Sequence, residues 1–183
     1  MRTLIKGSQR KISLWAGGSS SQICIFPPEA EYAQRNFLYR ISTAVADTDE
    51  WSDYTMLPGV CRHLLMLDGE AEVQHESRTV FMQPYEPVNV FDGGEKTKAK
   101  GKVRDFNLMT KEGCEGTMTV GVPALAEGVS HRLLFCGEGE ADVIFADEII
   151  HLEKEDALLL IPAENCKVNC SENGRIVCCD MKL

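Results

Sequence analysis

Apolar and polar residues alternate with a period of two along much of this chain, the pattern of strands that bury one face. In NFLYRISTAV (36–45), Phe37, Tyr39, Ile41 and Val45 fall on one side, and Arg40 and Ser42 on the other. RDFNLMT (104–110) does the same, setting Phe106 and Leu108 against Asp105, Asn107 and Met109. Both segments read as strands whose second face is polar. Elsewhere short apolar runs follow one another between glycine-containing or acidic turns, as in LLML, DGEAEV, TVFM and PYEPVNVF within 64–91. Helical spacing of apolar residues is scarce, which excludes a helical bundle and leaves a succession of short antiparallel strands.

The pattern is duplicated. Gly69-Glu70-Ala71-Glu72-Val73 returns as Gly139-Glu140-Ala141-Asp142-Val143, an offset of 139 − 69 = 70 residues. Upstream, Leu64-Leu65 matches Leu133-Leu134 after a slip of one residue, and downstream Glu86-Pro87-Val88 falls on Asp156-Ala157-Leu158. Two copies make a duplication rather than a solenoid. The expected fold is all-β, with two tandem jelly-roll or β-barrel halves, since facing sheets protect edges that would otherwise aggregate. The expected units are residues 1–110, including the N-terminal strands, and 111–183. No low-complexity linker separates them, so the reading has them packed as one body.

Composition narrows the partners. The 183 residues are 44% hydrophobic, enough for a core, and carry a net charge of −9, which disfavours nucleic acid and anionic membrane surfaces. The basic run KTKAKGKVR (96–104) has no interleaved aromatics for stacking bases and reads as a solvated loop. MRTLIKGSQRKISLW lacks the uninterrupted apolar segment of a signal peptide, and no stretch has the length of a spanning helix, so a cytoplasmic location is expected. The eight cysteines, several inside apolar runs (Cys24, Cys136, Cys178, Cys179), then read as free thiols. Cys166 and Cys170 with Cys178-Cys179 form no CxxC repeat for zinc.

The glycine turn in an apolar strand, followed by an acidic turn and an apolar strand ending in proline (DALLLIP, 156–162), is similar to a cupin half-barrel, and two halves make a bicupin. Five words in order, WAGGSSSQICIFP (15–27), FLYRIS (37–42), LPGVCRHLLMLDG (57–69), EPVNVFDGG (86–94) and RDFNLM (104–109), resemble the HutD/Ves family. The resemblance implies a bicupin without a bound metal or other cofactor. It is associated with bacterial histidine utilisation in HutD members and with cold or stress response in Ves members. It also implies a sensor or regulator that binds a carboxylate metabolite such as formiminoglutamate, formylglutamate or urocanate. Cupins often dimerise through strand edges, which makes a homodimer a candidate assembly. One departure stands out: the family has an acidic residue just before the arginine of its PG word, where this chain has Cys61, and this removes a candidate partner for Arg62.

The histidines do not form the His-x-His, Glu and later His set of a metal-dependent cupin: His63, His75, His131 and His151 are scattered and read as structural or surface residues. Arg62 shares a strand face with Leu64 and Met66, so its guanidinium should lie near a barrel interior and take either a ligand carboxylate or a neighbouring acid. Arg40, beside Ser42 on a polar face, has the same alternatives, with Asp105 as the internal partner. Asp105 and Asn107 project together and suit the amine or formyl end of a small metabolite, or cap a strand end. Trp15, with Ala16-Gly17-Gly18, reads as a wall or structural loop at the pocket rim. Tyr85, Glu86 and Asp92 with Gly93-Gly94 read as acidic turns near it. Cys61 and His63, two residues apart on one face, are the only nucleophile and base candidates, and core or rim packing is the simpler reading. The expected protein is therefore a non-enzymatic binder using Arg40, Ser42, Arg62, Asp105, Asn107 and Trp15. A cofactor-free hydrolase or isomerase and a stress-response interaction protein are its competitors.

Overall fold

In a computed structural model that describes residues 1–15 and 17–183, nearly all regular structure is β. The strands are β1 (Arg2–Ile5), β2 (Ile12–Trp15), β3 (Gly18–Phe26), β4 (Tyr39–Ala46), β5 (Ser52–Asp53), β6 (Val60–Asp68), β7 (Ala71–Gln74), β8 (Thr79–Met82), β9 (Asn89–Asp92), β10 (Lys98–Lys100) and β11 (Val103–Lys111). They continue as β12 (Glu115–Val120), β13 (His131–Glu138), β14 (Glu140–Ile144), β15 (Ile149–Glu153), β16 (Ala157–Leu160), β17 (Lys167–Cys170) and β18 (Arg175–Lys182).

The chain divides into two compact units, Lys11–Cys114 and Met1–Arg10 with Glu115–Leu183. The division differs from the expected 1–110 and 111–183 chiefly at the N-terminus. Arg2 to Ile5 pair with Leu160 to Ala157, so β1 completes a sheet of the second unit.

In the unit Lys11–Cys114, a six-stranded sheet in the order β2-β3-β4-β11-β6-β9 faces a four-stranded sheet in the order β5-β10-β7-β8. Leu64, Met66, Phe91 and Val103 from the first sheet meet Ala71, Val73 and Met82 from the second. Burying each of the large side chains contributes about 1.5–3 kcal/mol. KTKAKGKVR is not a loop. Its Lys98–Lys100 form β10, with Lys98 opposite Gln74, Lys100 opposite Glu72 and Ala99 turned to the core. Alternation around one alanine and an acidic partner make a strand of a run that composition alone assigns to solvent.

The other unit sets a five-stranded sheet, β1-β16-β13-β18-β12, against a three-stranded one, β15-β14-β17. Its core brings Leu134, Cys136, Leu158, Leu160, Ile176 and Cys178 onto Ala141, Val143, Phe145 and Leu152. The duplicated turn has a backbone reason in both units. Gly69 has φ +74° and Gly139 φ +63°, in the left-handed region that favours glycine.

Strand pairing also corrects the alignment of the copies. Arg62, Leu64 and Met66 correspond to Arg132, Leu134 and Cys136 without a slip; the offset is 69 at β9 and β16, where Phe91 corresponds to Leu160, and 71 at β11 and β18, where Met109 corresponds to Asp180. Glu86 still aligns with Asp156, since Glu86 N to Gln83 O matches Asp156 N to Glu153 O, so the extra residue lies between Glu86 and Asn89.

Candidate functional site

The interior face of the six-stranded sheet carries the candidate residues in adjoining rows. On β4 and β11, Arg40 stands opposite Met109, Ser42 opposite Asn107 and Ala44 opposite Asp105. On the far side of β11, Arg62 stands opposite Met109, Leu64 opposite Asn107 and Met66 opposite Asp105. Register thus gathers Arg40, Ser42, Arg62, Asp105 and Asn107 on one buried face. Phe106 and Leu108 point the other way and are fully buried, as their alternation requires.

Arg40 is satisfied from within the sheet. Its Nε donates to Gln22 Oε1 at 3.0 Å and its Nη1 to Ser42 Oγ at 2.9 Å, while the guanidinium lies 4.3 Å from the centre of the Tyr32 ring. The expected partner Asp105 is not used, because Gln22 on β3 pairs with Ser42 and so reaches Arg40 from the opposite side. Ser42 therefore serves first as an acceptor for Arg40.

Arg62 is held differently. It is 7% exposed and rests between the rings of Tyr54 and Phe91, 4.8 and 5.3 Å from their centres. Among the described residues its side chain makes no hydrogen bond and no ion pair, and its Nε is buried without an acceptor. Burial pulls both guanidinium groups below the usual arginine range, and for Arg40 the nearby charge of Arg62 adds to the effect. Two desolvated cations on one face create a strong demand for negative charge.

Asp105 does not meet that demand. Among the described residues it forms no ion pair, and Arg62 acts on it only through the charge at a distance. Burial pushes its carboxyl up to about 7, and the Arg62 charge offsets this only in part. Asn107 Oδ1 is buried without a donor. The constellation accordingly offers an unengaged guanidinium, an unengaged amide oxygen and a carboxyl near its titration point.

Trp15 stands apart. It ends the edge strand β2, pairs with Gly18 and is 41% exposed; its ring covers Gly18, where an added Cβ would come within 2.7 Å of it. Ala16 of the same word lies outside the described residues. Nothing on the described residues links Trp15 to the arginines, so it fits the structural-loop alternative.

Cys61 and His63 share the outer face of β6, opposite to Arg62. An acidic residue at position 61 would therefore not face Arg62, and its absence here does not explain why Arg62 is unengaged. The Cys61 thiol is pushed up by desolvation and by Asp92, the reverse of an activated nucleophile. Asp92 accepts the Gly94 N–H at 2.7 Å, which makes it a turn residue. A surface depression of about 340 Å³ lined by Gly59, Val60, Cys61, Val90, Phe91 and Asp92 lies outside the charged cluster and adjoins it through Phe91. The depression's titratable side chains are Cys61, whose thiol is pushed up, and Asp92, which is committed to its turn.

Alternation did not single out three residues of this region. Tyr54 and Phe91 sandwich Arg62, and His75 sits deeper in the same unit. Its Nδ1 lies 2.9 Å from Thr97 Oγ1, its Nε2 lies 3.0 Å from Asn89 Nδ2, and its ring centre is 4.7 Å from that of Phe91. Because Asn89 donates to Nε2, Nδ1 carries the proton and donates to Thr97. His151 is exposed and bonded to Asp142 at 2.8 Å. Among the described residues no group of three or more His, Cys, Asp and Glu side chains could hold a metal ion.

Facing antiparallel sheets in each unit define a cupin-like β protein. The bacterial pirin YhhW from Escherichia coli, whose structure contains nickel(II), shares this fold at a TM-score of 0.67 with 10% identity over 98% of each chain. The chain belongs to the HutD family, whose model matches residues 8–178. HutD from Pseudomonas fluorescens SBW25 superposes with a TM-score of 0.80 and 18% identity over 100% of this chain and 98% of that one. PA5104 from Pseudomonas aeruginosa PAO1 reaches 0.85 with 15% identity over the whole of both chains. No curated protein matches the sequence. No helix among the described residues is long and apolar enough to cross a membrane.

Proposed function

We propose that this HutD-type protein binds a small carboxylate metabolite in the unit Lys11–Cys114 and acts as a sensor or regulator of histidine utilisation. The observation that carries the reading is Arg62, a buried guanidinium with an unengaged Nε in a wall that also holds Arg40. An uncompensated buried cation is costly, and a planar carboxylate is the group that arginine pairs with best. Asn107 Oδ1 supplies an acceptor for an N–H or O–H donor on the same molecule. Formiminoglutamate, formylglutamate and urocanate each combine a carboxylate with such a donor. The P. fluorescens HutD structure is described as a formate condition, which makes formate a natural minimal probe.

Calorimetric titration of the protein with formate, formylglutamate, formiminoglutamate and urocanate tests the reading. At least one should bind with one-site stoichiometry and raise the melting temperature by mass action. Absence of binding by all four sinks it.

A second reading rests on Asp105, whose carboxyl near 7 matches what a general base or acid requires. On that reading the site hydrolyses or isomerises its ligand without a cofactor. NMR of the bound ligand over hours separates the two, since an unchanged spectrum supports the binder.

A further inference from the structure

Strand register makes the two units comparable residue by residue. In the first, Arg62, Leu64 and Met66 of β6 face Met109, Asn107 and Asp105 of β11. In the second, Arg132, Leu134 and Cys136 of β13 face Asp180, Cys178 and Ile176 of β18. The neighbouring strand keeps step, with Arg40 and Ser42 opposite Met109 and Asn107 in one, and Thr117 and Thr119 opposite Asp180 and Cys178 in the other. Arg62 and Arg132 are thus one position of the duplicated unit.

Among the described residues only one of them has a carboxylate partner. Arg132 is 1% exposed and donates through Nε to Asp180 Oδ1 at 2.6 Å and through Nη2 to Asp180 Oδ2 at 2.7 Å. This is the two-point fork by which a guanidinium engages a carboxylate edge-on. In Arg62 the same Nε has no acceptor, and Met109 occupies the place of Asp180. Met109 is buried among Ala30, Phe37, Leu57 and Val60, so an apolar thioether fills the position from which the copy supplies its counter-charge.

We infer that a ligand carboxylate serves Arg62 as the Asp180 carboxylate serves Arg132, and that Met109 is the residue that leaves Arg62 without an internal counter-charge. The inference rests on the anion-binding reading above and adds the geometry of the contact and its selectivity. The second unit is then the self-occupied form of the same site, closed by its own aspartate. Edge-on engagement of Nε and Nη2 favours a planar carboxylate over a tetrahedral anion. Asn107, where the copy has Cys178, adds an acceptor oxygen that selects a carboxylate bearing an N–H or O–H donor.

Formate titrations of wild type, Met109→Asp and Met109→Asn, followed by calorimetry and by the arginine Nε–H signals in ¹⁵N NMR, test this. Met109→Asp should lose formate and formylglutamate affinity about 100-fold or more, because Arg62 acquires an internal partner. Met109→Asn, of the same shape without the charge, should bind within about tenfold of wild type. In wild type the Arg62 Nε–H signal should move on saturation toward the position of the Arg132 signal. Undiminished binding by a folded Met109→Asp, or an Arg62 signal that stays in place in a saturated sample, overturns the inference. The NMR arm decides the matter if the aspartate variant does not fold. Failure of the earlier reading looks different, since wild type would then bind none of the four metabolites.

Discussion

Asp105 and Arg62 face the same interior from adjacent strands, with the Asn107 row between theirs, and form no ion pair. Desolvation therefore dominates Asp105 and holds its carboxyl near 7, against 3.8 for the free group. The native state keeps a proton that the unfolded chain releases, so stability falls as pH rises from about 4 to 7 and levels off above. The whole gap corresponds to about 4 kcal/mol. Asp105→Asn should remove this dependence. Urea unfolding at pH 5 and pH 8 should show the variant gaining a few kcal/mol on wild type at the higher pH, and an equal difference at both values contradicts the assignment.

Ligand binding should follow the same proton. Once Asp105 is ionised it repels an incoming carboxylate and competes for Arg62, so affinity should decline between pH 6 and 8. In Asp105→Asn the profile should be flat over that range, as read by calorimetry in buffers of different ionisation enthalpy.

The two equivalent arginines should respond with opposite sign when neutralised. Arg62→Met removes an uncompensated buried cation and should leave the unliganded protein as stable as wild type or up to about 3 kcal/mol more so, while abolishing binding. Arg132→Met leaves the Asp180 carboxylate buried without a counter-charge, and should cost about 3–5 kcal/mol. Chemical denaturation of the two variants gives the comparison directly. Arg40→Ala should weaken binding less than Arg62→Ala, since Gln22 and Ser42 already engage Arg40.

His75 makes the first unit sensitive to acid. Its folded value lies below 6.5, chiefly through burial, so the unfolded chain takes up the proton first and stability is lost as pH falls below about 6.5. The equivalent position in the second unit, by the matching backbone bonds of His75 N to Arg78 O and Phe145 N to Glu148 O, is Phe145. A histidine titration by NMR should find the midpoint of His75 below that of a free imidazole, with the neutral ring protonated on Nδ1. A neutral ring protonated on Nε2 contradicts the Asn89 to His75 bond.

Gly69→Ala should be the more damaging of the two turn substitutions. A Cβ at Gly69 would lie 2.2 Å from the Lys102 carbonyl oxygen, a backbone atom, whereas at Gly139 the nearest backbone atom, of Gly174, is 2.9 Å away and the closer Ser171 hydroxyl, at 2.6 Å, belongs to a side chain. Both also carry the cost of a positive φ, of order 1–3 kcal/mol. Denaturation midpoints that fall equally in the two variants would show that φ alone decides.

Period-two alternation is a local property, and it placed Arg40 and Ser42 on one face, Asp105, Asn107 and Met109 on another, and Arg62 with Leu64 and Met66. The duplicated glycine turns and the all-β fold were legible in the same way, because turn chemistry and alternation act over a few residues. Trp15 was drawn toward the pocket by its word, but its place on an edge strand keeps it apart. The lysines of β10 looked solvated because composition does not report a cross-strand partner.

What no local pattern contains is register between strands far apart in the chain. A one-residue slip in matching the copies concealed that Arg62 and Arg132 are the same position, and only the ladders β6 to β11 and β13 to β18 align them. Those ladders join residues such as Arg132 and Asp180, 48 apart in the chain, and side-chain faces invert with every single step of register. Alternation therefore marked which residues could face an interior, while tertiary pairing decided that one arginine meets an aspartate and the other a methionine.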